Sequence, residues 1–219
     1  MTEEVKPRRA YRSTKRAEQV AQTRRDILAT AGALFRARGY TGVSMPTVAS
    51  ESGVAVETIY RAFGSKAGLF SAVVDAAVAG GVSRAEVPVE ARPAIRAIID
   101  EPDPRRQVEI YAGTQPGIHR RAGPLLRVLS EAAPTDPELK ALWESIESSR
   151  LRGQAGFIKM LAGRGALRPE LSKDEGRDGL WTLTSLVVWD LLVTTRGWSV
   201  ERYEHWLADA LKRFLLEDS

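Results

Sequence analysis

The chain has 219 residues, with 32 Lys and Arg against 28 Asp and Glu, a net charge of +4 and no cysteine. Disulfides, thiol nucleophiles and thiolate metal sites are therefore excluded, and His119 and His205 alone are too few for a zinc site built from protein ligands; no metal ion and no cofactor is expected. No apolar run reaches the roughly 20 residues that span a bilayer, and the polar, basic first residues do not read as a secretory leader, so a cytoplasmic protein without a membrane partner is expected.

Residues 1–18 carry Lys6, Arg8, Arg9, Arg12, Lys15 and Arg16 with almost no apolar content. They cannot bury enough surface to offset ordering entropy, which predicts a disordered basic arm, either solvated or laid along a phosphate track. The first helix is predicted over 18–38, where Ile27, Leu28, Ala31, Leu34 and Phe35 recur at helical spacing, and Gly39 supplies a left-handed stop before Tyr40.

The stretch 44–70, SMPTVASESGVAVETIYRAFGSKAGLF, reads as two short helices around a tight turn, followed by a third with its own cap. Ser44 is placed as N-cap of the first, with Pro46 in its first turn. Val48, Ala49, Val54, Ile59, Ala62 and Phe63 fall at spacings that let two crossing helices share one small core, and Gly53 stands where the turn between them needs positive φ. Ser65 then caps a helix that starts at Lys66 and ends near Gly80 and Gly81. This is the pattern of a helix-turn-helix DNA reader. Charge agrees: residues 1–70 hold 12 basic and 6 acidic side chains, a net +6, which leaves −2 for the remainder. A local surplus of that kind attracts the phosphates of double-stranded DNA irrespective of sequence.

From Arg24 to Phe70 the wording resembles the DNA-binding domain of the tetracycline-repressor family of bacterial transcriptional regulators. RRDILATAGALFRARGYTGVSM matches its first helix and exit, TVASESGV the second, and VETIYRAFGSKAGLF the recognition helix and the start of the next. The resemblance implies that Thr47, Thr58, Tyr60 and Lys66 touch phosphates or flank the groove. Val56, Glu57 and Arg61 lie on or near the exposed start of the recognition helix, and with Ser44 they complete the expected DNA-facing set. Two departures stand near the DNA: Ala55 replaces a capping Ser or Thr, and Ala62 a His before the aromatic.

Beyond residue 81 the pattern stays helical, with helices predicted over 92–100, 104–119, 123–132, 137–162, 173–196 and 199–216, separated at Pro102, Pro134 and Pro169. No strand-like alternation appears, so the fold class is all-α: an N-terminal helix-turn-helix domain over 19–65 and a helical ligand-binding and dimerisation domain over 66–219. The 173–196 segment is apolar nearly all round, and the last helix carries a stripe of Trp206, Leu211 and Phe214. With Leu183 and Val187 these are the expected interface of a homodimer, since a helix apolar on both sides must be buried twice; a monomeric core helix is the alternative. Tyr111, Trp143, Phe157 and Trp181 fall on different predicted helices and are expected to line a chamber for an apolar or aromatic small molecule, kinked open by Pro116. His119, beside Arg120 and Arg121, reads as a surface residue at a helix end. Asp100, Glu101 and Asp103 fall in a loop and Asp174 and Glu175 at a helix start, Asp190 alone stands amid apolar helix residues, and no catalytic constellation is present, so no enzyme is expected. The expected function is a dimeric repressor released from a pseudo-palindromic operator by a small molecule; a ligand-independent architectural DNA-binding protein remains open beside it.

Overall fold

The structure is a computed structural model and describes residues 8–217. Among these residues the regular structure is helical, and the one β-type pairing is an isolated antiparallel bridge between Leu167 and Leu216. The chain divides into two compact units that meet in sequence at Val73 and Val74.

The first unit is built from α1 (Arg8–Arg38), α2 (Met45–Ser52), α3 (Val56–Phe63) and the first half of α4 (Lys66–Ala79), which continues into the second unit. Ile27, Leu28, Ala31, Leu34 and Phe35 bury one face of α1, as their spacing requires. Phe35 stacks on Tyr40, and Phe70 meets both rings edge-on at 4.9 and 5.3 Å. The helix begins ten residues earlier than the predicted start at residue 18. Arg, Lys and Ala dominate 8–17 and are strong helix formers; once the apolar turns have nucleated α1, extending it costs little. The predicted arm is thus helical from Arg8, and its residues 1–7 lie outside the described residues.

The second unit holds α5 (Val82–Ala85), a 3-10 turn (Val89–Ala91), α6 (Pro93–Asp100), α7 (Pro104–Ala132), α8 (Pro137–Gly163), α9 (Lys173–Leu183), α10 (Leu186–Trp189), a π-helical stretch (Asp190–Thr195) and α11 (Val200–Leu215). Side-chain caps start most of the long helices: Asp103, Asp136, Ser172 in a reciprocal capping box with Glu175, and Ser199. α11 lies along α7, and α9 lies along α8. Their shared core contains Val108, Ala112, Ile158, Leu161, Leu180, Tyr203, Leu207, Leu211 and Leu215.

Two predicted boundaries move. The separate helices over 104–119 and 123–132 are one 29-residue α7 with Pro116 and Pro124 inside it. A proline forfeits one hydrogen bond, and the buried residues on either side, Ala112, His119, Ala122 and Leu125, hold the helix together across both prolines. His119 is accordingly an interior residue, only 5% exposed, stacked on Trp189 at 5.2 Å. Conversely, the single helix predicted over 173–196 breaks at Thr184. The Thr184 hydroxyl donates back to the Leu180 carbonyl at 2.7 Å, and Ser185 restarts the chain as N-cap of α10 by accepting from the Val188 N–H. Side chains of this type compete with the helical ladder for backbone partners.

Candidate nucleic-acid interface and effector region

The reader is built around the turn at Gly53, whose φ of +67° is the left-handed conformation an L side chain resists. The Val54 N–H bonds back to the Ala49 carbonyl across that turn at 3.0 Å. Val48, Ala49 and Ile59 are buried as predicted, and Val54 and Phe63 are half-buried. Ala62 is not part of this core: its side chain is exposed. Its carbonyl instead receives an N–H from Arg24 at 3.2 Å, while the Arg24 guanidinium lies 4.4 Å from the centroid of Phe63. Arg24 therefore ties α1 to the C-terminal end of α3, a contact between positions 38 apart that no local pattern announces.

α3 buries Ile59 and leaves Glu57, Tyr60 and Arg61 exposed, Tyr60 by 49%; Val56 and Thr58 are half-buried on its first turn. Its N-cap, Ala55, offers no side-chain oxygen, so the first-turn N–H groups of α3 have no cap and present the positive end of the helix dipole. Ser44 does cap α2: its hydroxyl accepts from the Thr47 N–H at 3.2 Å and lies 2.8 Å from the Thr47 hydroxyl. Lys66 at the start of α4 places its ammonium 4.3 Å from the centroid of Tyr40. The candidate DNA-facing residues thus share one helical hairpin and the turn that follows it.

Two of the four aromatics expected to line a chamber are in ring contact. Tyr111 on α7 stacks on Phe157 on α8, with centroids 4.5 Å apart. Trp181 makes polar contacts: its indole N–H donates to Glu147 at 2.8 Å, and the Arg150 guanidinium lies over its ring. Trp143 is half-buried on α8, and the 14 positions to Phe157 are roughly 20 Å of helix. What the sequence reading missed is a polar seam beside the Tyr111–Phe157 pair. Gln154 Nε2 donates to the Thr184 hydroxyl at 2.9 Å, and Arg150 donates to the same hydroxyl and to the Trp181 carbonyl. Glu147 accepts from Arg150 as well as from Trp181. Burial raises the Tyr111 hydroxyl above its ordinary value, against weaker opposing influences from Gln154, Arg150 and Thr184. Further along α7, burial and the nearby Arg150 charge lower His119 to about 4, so the imidazole is neutral at pH 7.

The expected dimer residues separate into two kinds. Val187 is 66% exposed, and Leu191, one turn on, is 56% exposed; Leu183, Trp206 and Phe214 are half-buried. Leu211 is fully buried within its own unit and has no surface left for a partner, because the stripe of α11 that carries it is covered by α7 and α9. Asp190 is held by Arg127 through both carboxylate oxygens, which keeps its carboxyl below the usual range. This pair pins the π-helical stretch to α7 behind the exposed Val187 and Leu191. Among the described residues no cluster of His, Asp and Glu could hold a metal ion, and no single helix is long and apolar enough to cross a membrane.

Residues 27–73 match the model of bacterial regulatory proteins of the tetR family. The chain is 30% identical over 145 residues to the HTH-type transcriptional regulator EthR of Mycolicibacterium smegmatis; the match spans 64% of this chain and 61% of that relative, so less than two thirds of its length is covered. NalD, the secondary repressor of the MexAB-OprM multidrug efflux pump in Pseudomonas aeruginosa, is similar in fold, with a TM-score of 0.68 at 20% identity over 91% of this chain and all of that one. A transcriptional regulator from Saccharomonospora viridis in complex with choline aligns with a TM-score of 0.63 at 23% identity over 90% of this chain and 99% of that one.

Proposed function

We propose that this chain, whose residues 27–73 match the model of bacterial regulatory proteins of the tetR family, is a member of that family and a cytoplasmic, homodimeric repressor that leaves its operator when a small molecule binds. The observation that carries the reading is the division of labour on α3, which buries one residue, Ile59, and leaves Glu57, Tyr60 and Arg61 exposed beside an uncapped N-terminus. A helix of that kind enters a major groove, with its N-terminal residues at the base edges. In this reading Val56, Glu57 and Arg61 set sequence preference, whereas Ser44, Thr47, Thr58, Tyr60 and Lys66 hold phosphates and orientation. Two copies joined through Val187 and Leu191 present two such helices to a pseudo-palindromic site.

Release requires a ligand with different affinities for the operator-bound and free states, since equal affinity shifts nothing. α4 is the covalent route for that coupling, being one helix from Lys66 to Ala79. That NalD is a repressor and that the Saccharomonospora viridis regulator is bound to choline support a ligand-released repressor over an architectural role without a ligand. Genome-wide footprinting with purified protein tests the reading. A few strong, two-fold symmetric sites upstream of genes support a repressor; many weak, scattered sites turn the assignment to an architectural protein.

A further inference from the structure

Gln154 sits deep in the second unit, 4% exposed, and its Oε1 is occluded and makes no hydrogen bond. The orientation of the amide is not free. The Thr184 hydroxyl spends its one proton on the Leu180 carbonyl, so it can only accept, and the Gln154 atom facing it at 2.9 Å must be the NH2 group. Oε1 is thereby fixed on the other side, as an acceptor held in place and unpaired. Interiors seldom leave such an atom unused, because an unpaired acceptor forfeits its hydration without recompense.

The surroundings define what would complete it. Tyr111 and Phe157 supply a stacked aromatic wall. The Tyr111 hydroxyl lies against the Gln154–Thr184 pair, and Tyr111 itself is half-buried rather than sealed from solvent. Charge narrows the class further. Arg150 stands on Thr184, and the carboxylate bonded to Arg150, Glu147, is already taken by Arg150 at 2.9 Å and by the Trp181 indole at 2.8 Å. That carboxylate is therefore committed and not free to receive a cation.

We propose that the effector is a neutral molecule with a hydroxyl or N–H donor on an apolar body, bound between α7, α8 and α9 with its donor on Gln154 Oε1 and its body against Tyr111 and Phe157. The proposal rests on the reading of the chain as an effector-released regulator and assigns that effector's chemistry.

Titration calorimetry of the full chain with three matched probes, 4-hexylphenol, 4-hexylanisole and 4-hexylphenyl-trimethylammonium, tests it. The phenol is expected to bind at least ~10-fold tighter than the other two, since only it donates to an acceptor left unpaired by the others. Gln154→Met, which keeps length and removes the acceptor, is expected to erase that preference while the anisole binds no worse. The wild-type comparison needs no variant to fold. Equal binding of phenol and anisole, preference for the ammonium, survival of the phenol preference in Gln154→Met, or no binding of any probe overturns the assignment. Those results leave the footprint untouched, whereas a footprint without discrete sites removes the regulator reading whatever the phenol does.

Discussion

Ile59 and Tyr60 are neighbours in sequence on opposite sides of α3, and their substitution should separate stability from recognition. Ile59→Ala removes three side-chain carbons from a fully buried site. At about 0.8 kcal/mol for each buried carbon the transfer loss is ~2.4 kcal/mol, and an unfilled cavity raises the total to about 3 kcal/mol. Ile59→Val, which removes one carbon, should cost about 1 kcal/mol. Eight residues are too few to hold a helix alone, so the loss falls on the docking of α3. Because the chain has two units, global unfolding could mask the effect. Amide hydrogen exchange of residues 56–63 against urea reads it locally. Tyr60→Ala, at an exposed ring, should change that protection by less than ~0.5 kcal/mol yet weaken operator binding. If Tyr60→Ala lost the protection, or Ile59→Ala cost no more than Ile59→Val, the placement of α3 would be refuted.

Arg24→Ala should lower affinity for every DNA sequence by a similar factor without altering the preferred site, because it removes the hold on Ala62 and Phe63 rather than a base contact; binding selection on random duplexes reads both properties. Burial lowers His119 to about 4, from an ordinary value of 6.5. Between those values the unfolded chain takes up a proton that the folded one refuses. Stability is therefore intact above pH 6.5 and falls as pH drops through that window, by about 3 kcal/mol in all. All five tryptophans lie beyond residue 140, so their fluorescence follows the second unit, and His119→Phe should flatten the dependence. Val187→Asp should leave folding intact and yield monomers by light scattering, whereas Leu211→Asp should unfold the second unit outright, since a lone buried charge costs several kcal/mol.

The reader was legible because its determinants are local: a cap at Ser44, a positive-φ glycine at Gly53 and apolar residues a helical turn apart all fall within a few residues of one another. The second unit was legible only as a set of helices. His119 was misread because flanking arginines and a glycine nearby resemble a helix end, and only the rings of Trp189 and Tyr203, 70 and 84 positions away, reveal it as interior. Gln154 carries no sequence signal at all, being one polar residue among several on α8, and its partner Thr184 lies 30 positions on. Leu211 shows a further limit of pattern: an apolar stripe says that something covers it, not whether the cover is the same chain or another.

The π-helical stretch changes how gaps around it should be read. Its wider turn, closed by the Arg196 N–H on the Leu191 carbonyl five residues back, stores one residue more than an α-helix would use. Losing a residue from an ordinary helix rotates everything after it by roughly 100°. Losing one between Asp190 and Thr195 can instead be absorbed by tightening the turn, leaving Val200–Leu215 in register. A one-residue length difference between this chain and a relative at that place is therefore a change of helix type, and the residues on either side remain structurally equivalent.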